Sequence, residues 1–315
     1  MTGIHTDPQP SNDTRPSVCV IIPTFCRPEQ LSNLLDSLES SSRLPSEVII
    51  VNNDQGSSSM EIATHSFPVS VVHAKLGLNL AGARNSGWLK STSDLCLFID
   101  DDNTVEPEAI KEMVEIVATD DKIGLVGPLT LMGDTSVVWC AGIRRSFWTG
   151  RTRFRFRGNT LDLGDSVWPT DEMPNCFLIP RWVLKKIAGF DEVRFPFHYD
   201  EADLGIRIRE IGMSCVVAER ARVHHHGLQQ ASSGAELLRS FQLNGSARIE
   251  AIAGSRVRFH RLHSHGVYRF STLGLFVPFW AVLSTAQSLR IDATRGIRFQ
   301  IIIALWRGLI NGYIK

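Results

Sequence analysis

The chain has 315 residues, 43% hydrophobic and 21% charged, the balance of a globular protein large enough to bury a sizeable core. Lys+Arg and Asp+Glu number 33 each, so no overall field favours nucleic acid and any anion site has to be local. The cysteines at 19, 26, 96, 140, 176 and 215 show no CxxC spacing and read as buried, reduced thiols of a cytosolic protein.

In chain order, the first 16 residues are rich in Pro, Ser, Thr, Asn and Asp. They lack a cationic start followed by an apolar run, and are expected to form a disordered tail instead of a signal peptide. Residues 17–23 (SVCVIIP) read as a buried parallel strand. Pro28 then opens a helix with Leu31, Leu34, Leu35 and Leu38 on one face. Strands are expected at 48–51, 69–72 and 95–99, with a helix at 81–90. Pro107 starts another helix, with Ile110, Met113, Val114 and Val117 aligned. This alternation predicts an α/β fold, a Rossmann-like and mostly parallel sheet flanked by helices. Ligands of such sheets bind beyond the C-terminal strand ends. Polar clusters at 24–27, 52–54 and 100–102 fall at such ends.

The second half is less regular. Residues 151–158 (RTRFRFRG) alternate Arg with Thr or Phe, a period-2 strand pattern. An edge strand blunted by charge is one reading; a base-stacking surface is another, opposed by the charge balance. Contact with a lipid diphosphate or an anionic membrane surface is a third. Helices are expected at 181–187, ended by Gly189, and at 200–211, ended by Gly212, before a strand at 215–218. Residues 229–315 read as a mostly helical extension. Within it, 270–289 carries no charge and is bracketed by Arg269 and Arg290. That length can span a bilayer, but six polar side chains and Pro278 favour a helix that lies on a membrane or docks.

Three clusters carry chemistry. Asp100-Asp101-Asp102 follows an apolar strand, and adjacent carboxylates repel unless a cation or strong donors balance them. A hard divalent ion with phosphate oxygens is one such balance; a solvated loop that caps the next helix is the plain alternative. Asp200, Glu201 and Asp203 open a helix, where acids also serve the macrodipole. Residues 200 and 203 share a face, and Glu201 points elsewhere. His224-His225-His226 follows a strand, where neighbours alternate faces, so a three-histidine zinc site is not expected.

Taken together, these segments resemble glycosyltransferase family 2, of the GT-A fold. The resemblance rests on Pro23-Thr24-Phe25-Cys26-Arg27, on Val51-Asn52-Asn53-Asp54, and on the stretch from Gly77 and Asn79 to Ala83-Arg84-Asn85-Ser86-Gly87. It continues through Phe98-Ile99-Asp100-Asp101-Asp102, Gly189-Phe190-Asp191-Glu192 and Tyr199-Asp200-Glu201-Ala202-Asp203-Leu204, with Arg207 and Arg209 before Gly212. It covers about residues 17–227. The resemblance implies that Pro23, Thr24, Arg27, Asn52, Asn53, Arg84, Asp100 and Asp101 line a nucleotide-sugar pocket. It implies Mg²⁺ or Mn²⁺ on Asp100, Asp102 and His225, with His224 or His226 as alternatives. Arg84 would be a bidentate donor to phosphate or sugar.

Glu201 aligns with the general base, with Asp200 and Asp203 as alternatives because the acid order is inverted relative to the family. Asn52 stands where the family usually has Asp, which leaves the preferred base open. The implied activity is metal-dependent, inverting hexosyl or deoxyhexosyl transfer from a nucleotide-diphospho-sugar to a glycan or lipid-linked acceptor. The resemblance is closest to bacterial rhamnosyl- and galactofuranosyl-transferases of cell-wall or polysaccharide synthesis. It places the chain at the cytoplasmic face of the membrane, with a catalytic domain at 17–228 and peripheral contact through 270–289. Trp139, Trp148 and Trp168 lie where acceptor-binding residues usually fall. A sugar nucleotidyltransferase would need a Gly-x-Gly-x-Arg start, which is absent. A non-catalytic sugar-nucleotide-binding relative would keep the triplet and lose the base.

Overall fold

The computed structural model describes residues 15–25, 27–53, 62–74, 79–160, 164–196, 198–227 and 233–314. The expected tail falls almost wholly outside them, as do Cys26, Asp54 and Gly77. The first half runs β1 (Val18–Thr24), α1 (Pro28–Glu39), β2 (Glu47–Asn52), β3 (Val69–His73), α2 (Leu80–Trp88) and β4 (Leu95–Ile99). It continues with β5 (Asn103–Val105), α3 (Ala109–Thr119) and β6 (Ile123–Met132). Short strands follow: β7 (Val138–Cys140), β8 (Ile143–Arg145), β9 (Thr152–Phe154), β10 (Val167–Pro169) and β11 (Cys176–Pro180). Then come α4 (Arg181–Ile187), α5 (Asp200–Glu210) and the long β12 (Ser214–His225). The extension comprises α6 (Ser233–His263), α7 (Gly266–Arg269), a π-helical stretch Phe270–Phe276, α8 (Val277–Leu289) and α9 (Arg295–Ile314).

Among the described residues, ten strands form one sheet whose main path is β10-β12-β6-β11-β4-β1-β2-β3. β3, β2, β1 and β4 are mutually parallel, as the β-α-β alternation predicts. β11 then runs antiparallel between β4 and β6, which makes the sheet mixed beyond β4. β12 returns parallel to β6 over a register break between Ala218 and Arg222. It is far longer than the expected 215–218 because β5 and β6 both pair with its far end.

Alternation along the strands divides the core. Val18, Val20 and Ile22 of β1 pack with Leu31, Leu34, Leu35 and Leu38 of α1 and with Ile110 and Met113 of α3. Each such buried leucine contributes about 1.5–3 kcal/mol. Cys19 and Ile21 face the other way, toward Ala81, Ala83 and Trp88 of α2 and Leu204 and Ile208 of α5. A Cβ at Gly87 would meet Ile21 at 2.4 Å, so glycine there lets α2 sit directly on β1. The described cysteines are free and buried, in keeping with the reading of reduced thiols.

The extension has a core of its own. Ile249, Ala253 and Val257 of α6 pack with Val277 and Ala281 of α8 and Ile301, Leu305 and Leu309 of α9. Phe259 joins it to the sheet domain by packing on Phe195 and Ala202.

The expected strand at 151–158 is cut short. β9 ends at Phe154 and pairs only with β8, apart from the main sheet. Phe156 adopts φ 54°, and the chain turns there. The next two arginines lie over rings: Arg155 over Trp168 at 5.5 Å and Arg157 over Phe154 at 4.7 Å. These contacts hold the turn where a strand would splay the side chains apart.

Candidate active site

The C-terminal ends of β1, β2 and β4 and the start of α5 converge, and the acidic triplet is divided among three partners. Asp100, directly after β4, accepts a hydrogen bond from Arg84 Nη2 at 3.0 Å. Asp101 turns toward β1, where Thr24 Oγ1 donates to it at 2.7 Å and Arg27 Nη1 at 3.0 Å. Asp102 takes a second contact from Arg27 Nη1 at 3.1 Å, and its Oδ1 lies 3.6 Å from His225 Nε2. Burial pushes the Asp100 carboxyl up to about 7; Arg84 opposes this, and the charges of Asp102 and Glu201 add to it. Asp101 is also raised, chiefly by burial.

Arg84 is the hub. It lies on α2, is fully buried, and stands over the rings of Phe177 and Phe190 at 5.5 and 5.6 Å. Its Nη1 donates to Asp200 Oδ2 and to Glu201 Oε1, both at 2.8 Å, while Nη2 holds Asp100. The expected bidentate donor to phosphate therefore has both terminal nitrogens committed to carboxylates. Asp200 and Glu201 share one nitrogen yet titrate apart. Asp200 is raised well above the usual carboxylate range, because burial and the Glu201 charge outweigh Arg84. Glu201 is lowered: burial opposes ionisation, and Arg84 outweighs it. Of the pair, Asp200 is the one that holds its proton more tightly and Glu201 the one that ionises more readily. Glu201 also keeps 18% of its side chain open, against 1% for Asp200.

The backbone ahead of this pair is strained. His198 and Tyr199 both adopt left-handed conformations, φ 58° and 69°, immediately before α5. Asp203 faces away from the hub: Arg207 holds its Oδ2 at 2.7 Å, and His263 of α6 meets its Oδ1 at 2.8 Å. That tether from the extension had no signal in the sequence.

The histidines separate as strand alternation requires. His224 bonds to the Gly133 carbonyl at 2.8 Å and to Glu106 at 3.2 Å, and His226 to Thr104 at 2.9 Å. His225 brings its ring to the Asp102 carboxylate, with the Trp139 ring 4.5 Å away, while His226 donates only its backbone N–H to the Asp102 carbonyl, at 2.8 Å. A Cβ on Gly227 would fall 2.5 Å from the His225 ring and 3.1 Å from Asp102 Oδ2, so the glycine keeps a cradle open between the two. A carboxylate and an imidazole suit Mn²⁺ or Mg²⁺ with diphosphate oxygens completing the shell. Among the described residues no group of three or more His, Cys, Asp or Glu is placed to hold an ion by itself. Asp100 is turned to Arg84 and does not join Asp102 and His225.

The remaining expected residues line the strand ends. Pro23 lies beside Val51 in the β1–β2 ladder, and Asn52 is fully buried at the end of β2. Asn53 donates its backbone N–H to the Thr24 carbonyl at 2.9 Å, and its Oδ1 has no hydrogen-bond partner. The site can therefore present an amide acceptor at β2, a carboxylate–imidazole pair at β4 and β12, and one ionised carboxylate at α5.

Comparison with known proteins bears on the family and the fold. The sequence model of the family described as Glycosyl transferase family 2 matches residues 19–187. The O-antigen biosynthesis protein RfbC of Myxococcus xanthus is 26% identical over 227 residues, covering 67% of this chain and 17% of that protein. An uncharacterized glycosyltransferase of Haemophilus influenzae is 29% identical over 107 residues, 34% of this chain and 36% of that protein. The chain thus spans about a sixth and about a third of the lengths of these two relatives. Among solved structures, GalNAc-T7 with UDP, GalNAc and Mn²⁺ superposes with a TM-score of 0.56 at 13% identity, covering 82% of this chain and 56% of that one. The mannosyltransferase PcManGT from Pyrobaculum calidifontis, in complex with GDP-Man and Mn²⁺, gives 0.54 at 12% identity, with 96% and 87% covered. At such identities the likeness speaks for the fold, which is GT-A.

Proposed function

The chain belongs to glycosyltransferase family 2, and on that footing we propose that it moves a sugar, with inversion, from a nucleotide-diphospho-sugar to a hydroxyl of a glycan or lipid-linked acceptor. The observation that carries the reading is the Arg84 hub. One buried guanidinium joins the end of β4 to the start of α5, so the donor-side triplet and the acid–base group form one rigid unit.

Thr24, Asn52 and Asn53 are the residues we assign to the nucleotide, at the ends of β1 and β2. Asp102 and His225 would hold Mg²⁺ or Mn²⁺, and the cradle left by Gly227 supports that assignment. Such an ion, when bound, neutralises charge on the departing diphosphate. Glu201 is the general base. It is ionised, partly open and held by Arg84, whereas Asp200 is sealed and Asp203 is engaged by Arg207 and His263. The acceptor hydroxyl loses its proton to Glu201 as its oxygen bonds the anomeric carbon. The bond from that carbon to the diphosphate breaks on the opposite face, and the electron pair leaves with the diphosphate. On this reading residues 17–228 carry the chemistry, and 229–315 bring it to the cytoplasmic face of a membrane.

Glu201→Gln tests the assignment. Transfer falls by about 10²–10⁴-fold while Mn²⁺-dependent stabilisation by a nucleoside diphosphate persists. Undiminished turnover in the variant removes Glu201 from the role. A wild-type protein that consumes no nucleotide-sugar removes the enzyme reading altogether.

A further inference from the structure

At the β8–β9 hairpin an open cavity of about 470 Å³ is lined by Arg144, Arg145, Ser146, Arg151, Thr152 and Arg153. Among the described residues two acids answer its four arginines. Glu172 pairs with Arg145 at 2.7 Å, and Asp171 reaches Arg144 at 3.4 Å. Arg151 and Arg153 are exposed and have no carboxylate partner among the described residues. The cavity is therefore a local excess of guanidinium on a chain of zero net charge, with forks suited to phosphate oxygens.

Two neighbours give this excess a direction. On one side Arg145 lies over the Tyr199 ring at 4.8 Å, and Tyr199 immediately precedes Asp200 and Glu201. On the other side the hairpin is fastened to the extension. Ser271 Oγ donates to the Trp148 carbonyl at 2.7 Å, and the Trp148 and Tyr268 rings meet edge to face at 6.0 Å. Arg151 lines a second groove, shared with Phe276, Phe279, Trp280 and Leu283.

That part of the extension is apolar and open. Gly266–Leu289 is one helical run of 24 residues, only 22% of its most apolar window buried. Leu275, Phe279, Val282, Ala286 and Leu289 are exposed at spacings of three and four, as are Phe299, Ile303, Trp306 and Ile310 on α9. Trp306 Nε1 donates to Thr285 Oγ1 at 3.0 Å, which holds α8 and α9 side by side. An exposed double apolar stripe with arginines at its edge is the pattern of a helix pair that lies in a membrane interface.

We propose that the cavity binds the diphosphate of a lipid-linked acceptor, with the hydrocarbon chain along α8 and the acceptor sugar directed past Tyr199 toward Glu201. The inference rests on the transferase reading above and selects the lipid-linked class from the two acceptors it allows. A neutral soluble glycan has no charge to match the unanswered arginines, and no soluble glycan matches the apolar stripes beside them. A lipid diphosphate has both, in the order in which the surface presents them.

The test is flotation of the full chain with phosphatidylcholine vesicles that carry either a long-chain isoprenyl diphosphate or phosphatidylglycerol of equal total charge. The diphosphate vesicles are expected to bind about 10-fold more tightly, since guanidinium–phosphate hydrogen bonds add to the surface attraction that both vesicles share. Arg151→Gln/Arg153→Gln is expected to abolish the preference. Equal binding to both vesicles reduces the cavity to a general anionic-membrane contact and overturns the proposal, as does a preference unchanged in the variant. Melting of the wild-type protein with nucleoside diphosphates and Mn²⁺ separates the levels. A nucleotide shift without a lipid preference removes only the acceptor assignment; no shift with any nucleotide removes the transferase reading beneath it.

Discussion

At the ends of β1 and β4, the arginines that reach the centre meet carboxylates: Arg27 holds Asp101 and Asp102, and Arg84 holds Asp100, Asp200 and Glu201. In the β8–β9 hairpin the reverse applies, with Arg151 and Arg153 unanswered and the neighbouring helices presenting bare apolar stripes. The first region braces five carboxylates on two guanidinium groups, which suits chemistry that needs groups held in place before any substrate arrives. The second carries surface that only an outside partner completes.

The contrast can be broken most severely at Arg84. Arg84→Met leaves three carboxylates without their common cation, and the loss is expected to be about 3–5 kcal/mol. Chemical denaturation measures it; an unchanged unfolding midpoint would mean that the hub is not what holds the first region together. At the seam between the regions, His260 is buried with its Nδ1 3.0 Å from Ser264 Oγ. Burial lowers it from 6.5 to about 3, with Arg145, Arg256 and His263 adding to the effect. Its folded pKa lies below the unfolded one, so the unfolded chain binds the extra proton between these values. Stability is then expected to fall by on the order of a few kcal/mol as the pH drops through that window. His260→Phe should flatten the profile, as read from melting temperature against pH.

Smaller effects sharpen the picture within each region. Asp102→Asn and His225→Ala are each expected to weaken Mn²⁺ binding by at least the ~10–100-fold that losing an outer-shell partner costs. Titration of Mn²⁺ in the presence of a nucleoside diphosphate reads this directly, and full affinity in both variants would end the case for the cradle. The least change in stability is expected from Phe279→Ser and Ile303→Ser, about 0.5 kcal/mol or less because both side chains are exposed. Their effect should appear in vesicle binding alone. A large drop in melting temperature would instead mark the stripes as internal packing.

The β-α-β half was legible because its signals are local. The polar clusters at 24–27, 52–54 and 100–102 sit where apolar strands stop, and a strand end can be seen within a few residues. Thr24, Asn52 and Asp100–Asp102 were placed by that rule alone, and strand alternation separated the faces of His224, His225 and His226. Which face meets the triplet depended on β12 pairing with both β5 and β6, at a distance of about a hundred residues in sequence. The period-2 run at 151–157 misled for a similar reason. Arg155 and Arg157 found the rings of Trp168 and Trp139 from other segments, and the chain turned at Phe156.

By itself the sequence determined the parallel half of the sheet, the family and the set of groups able to do the chemistry, since these follow from short-range periodicity and residue type. Only the tertiary structure decided who answers whom. The triplet divides among Arg84, Arg27 and His225, Asp200 is sealed while Glu201 stays open and ionised, and Asp203 is drawn off by a histidine from the extension. Charge partners are chosen by distance in space and by burial. Neither is written in the spacing of residues along the chain.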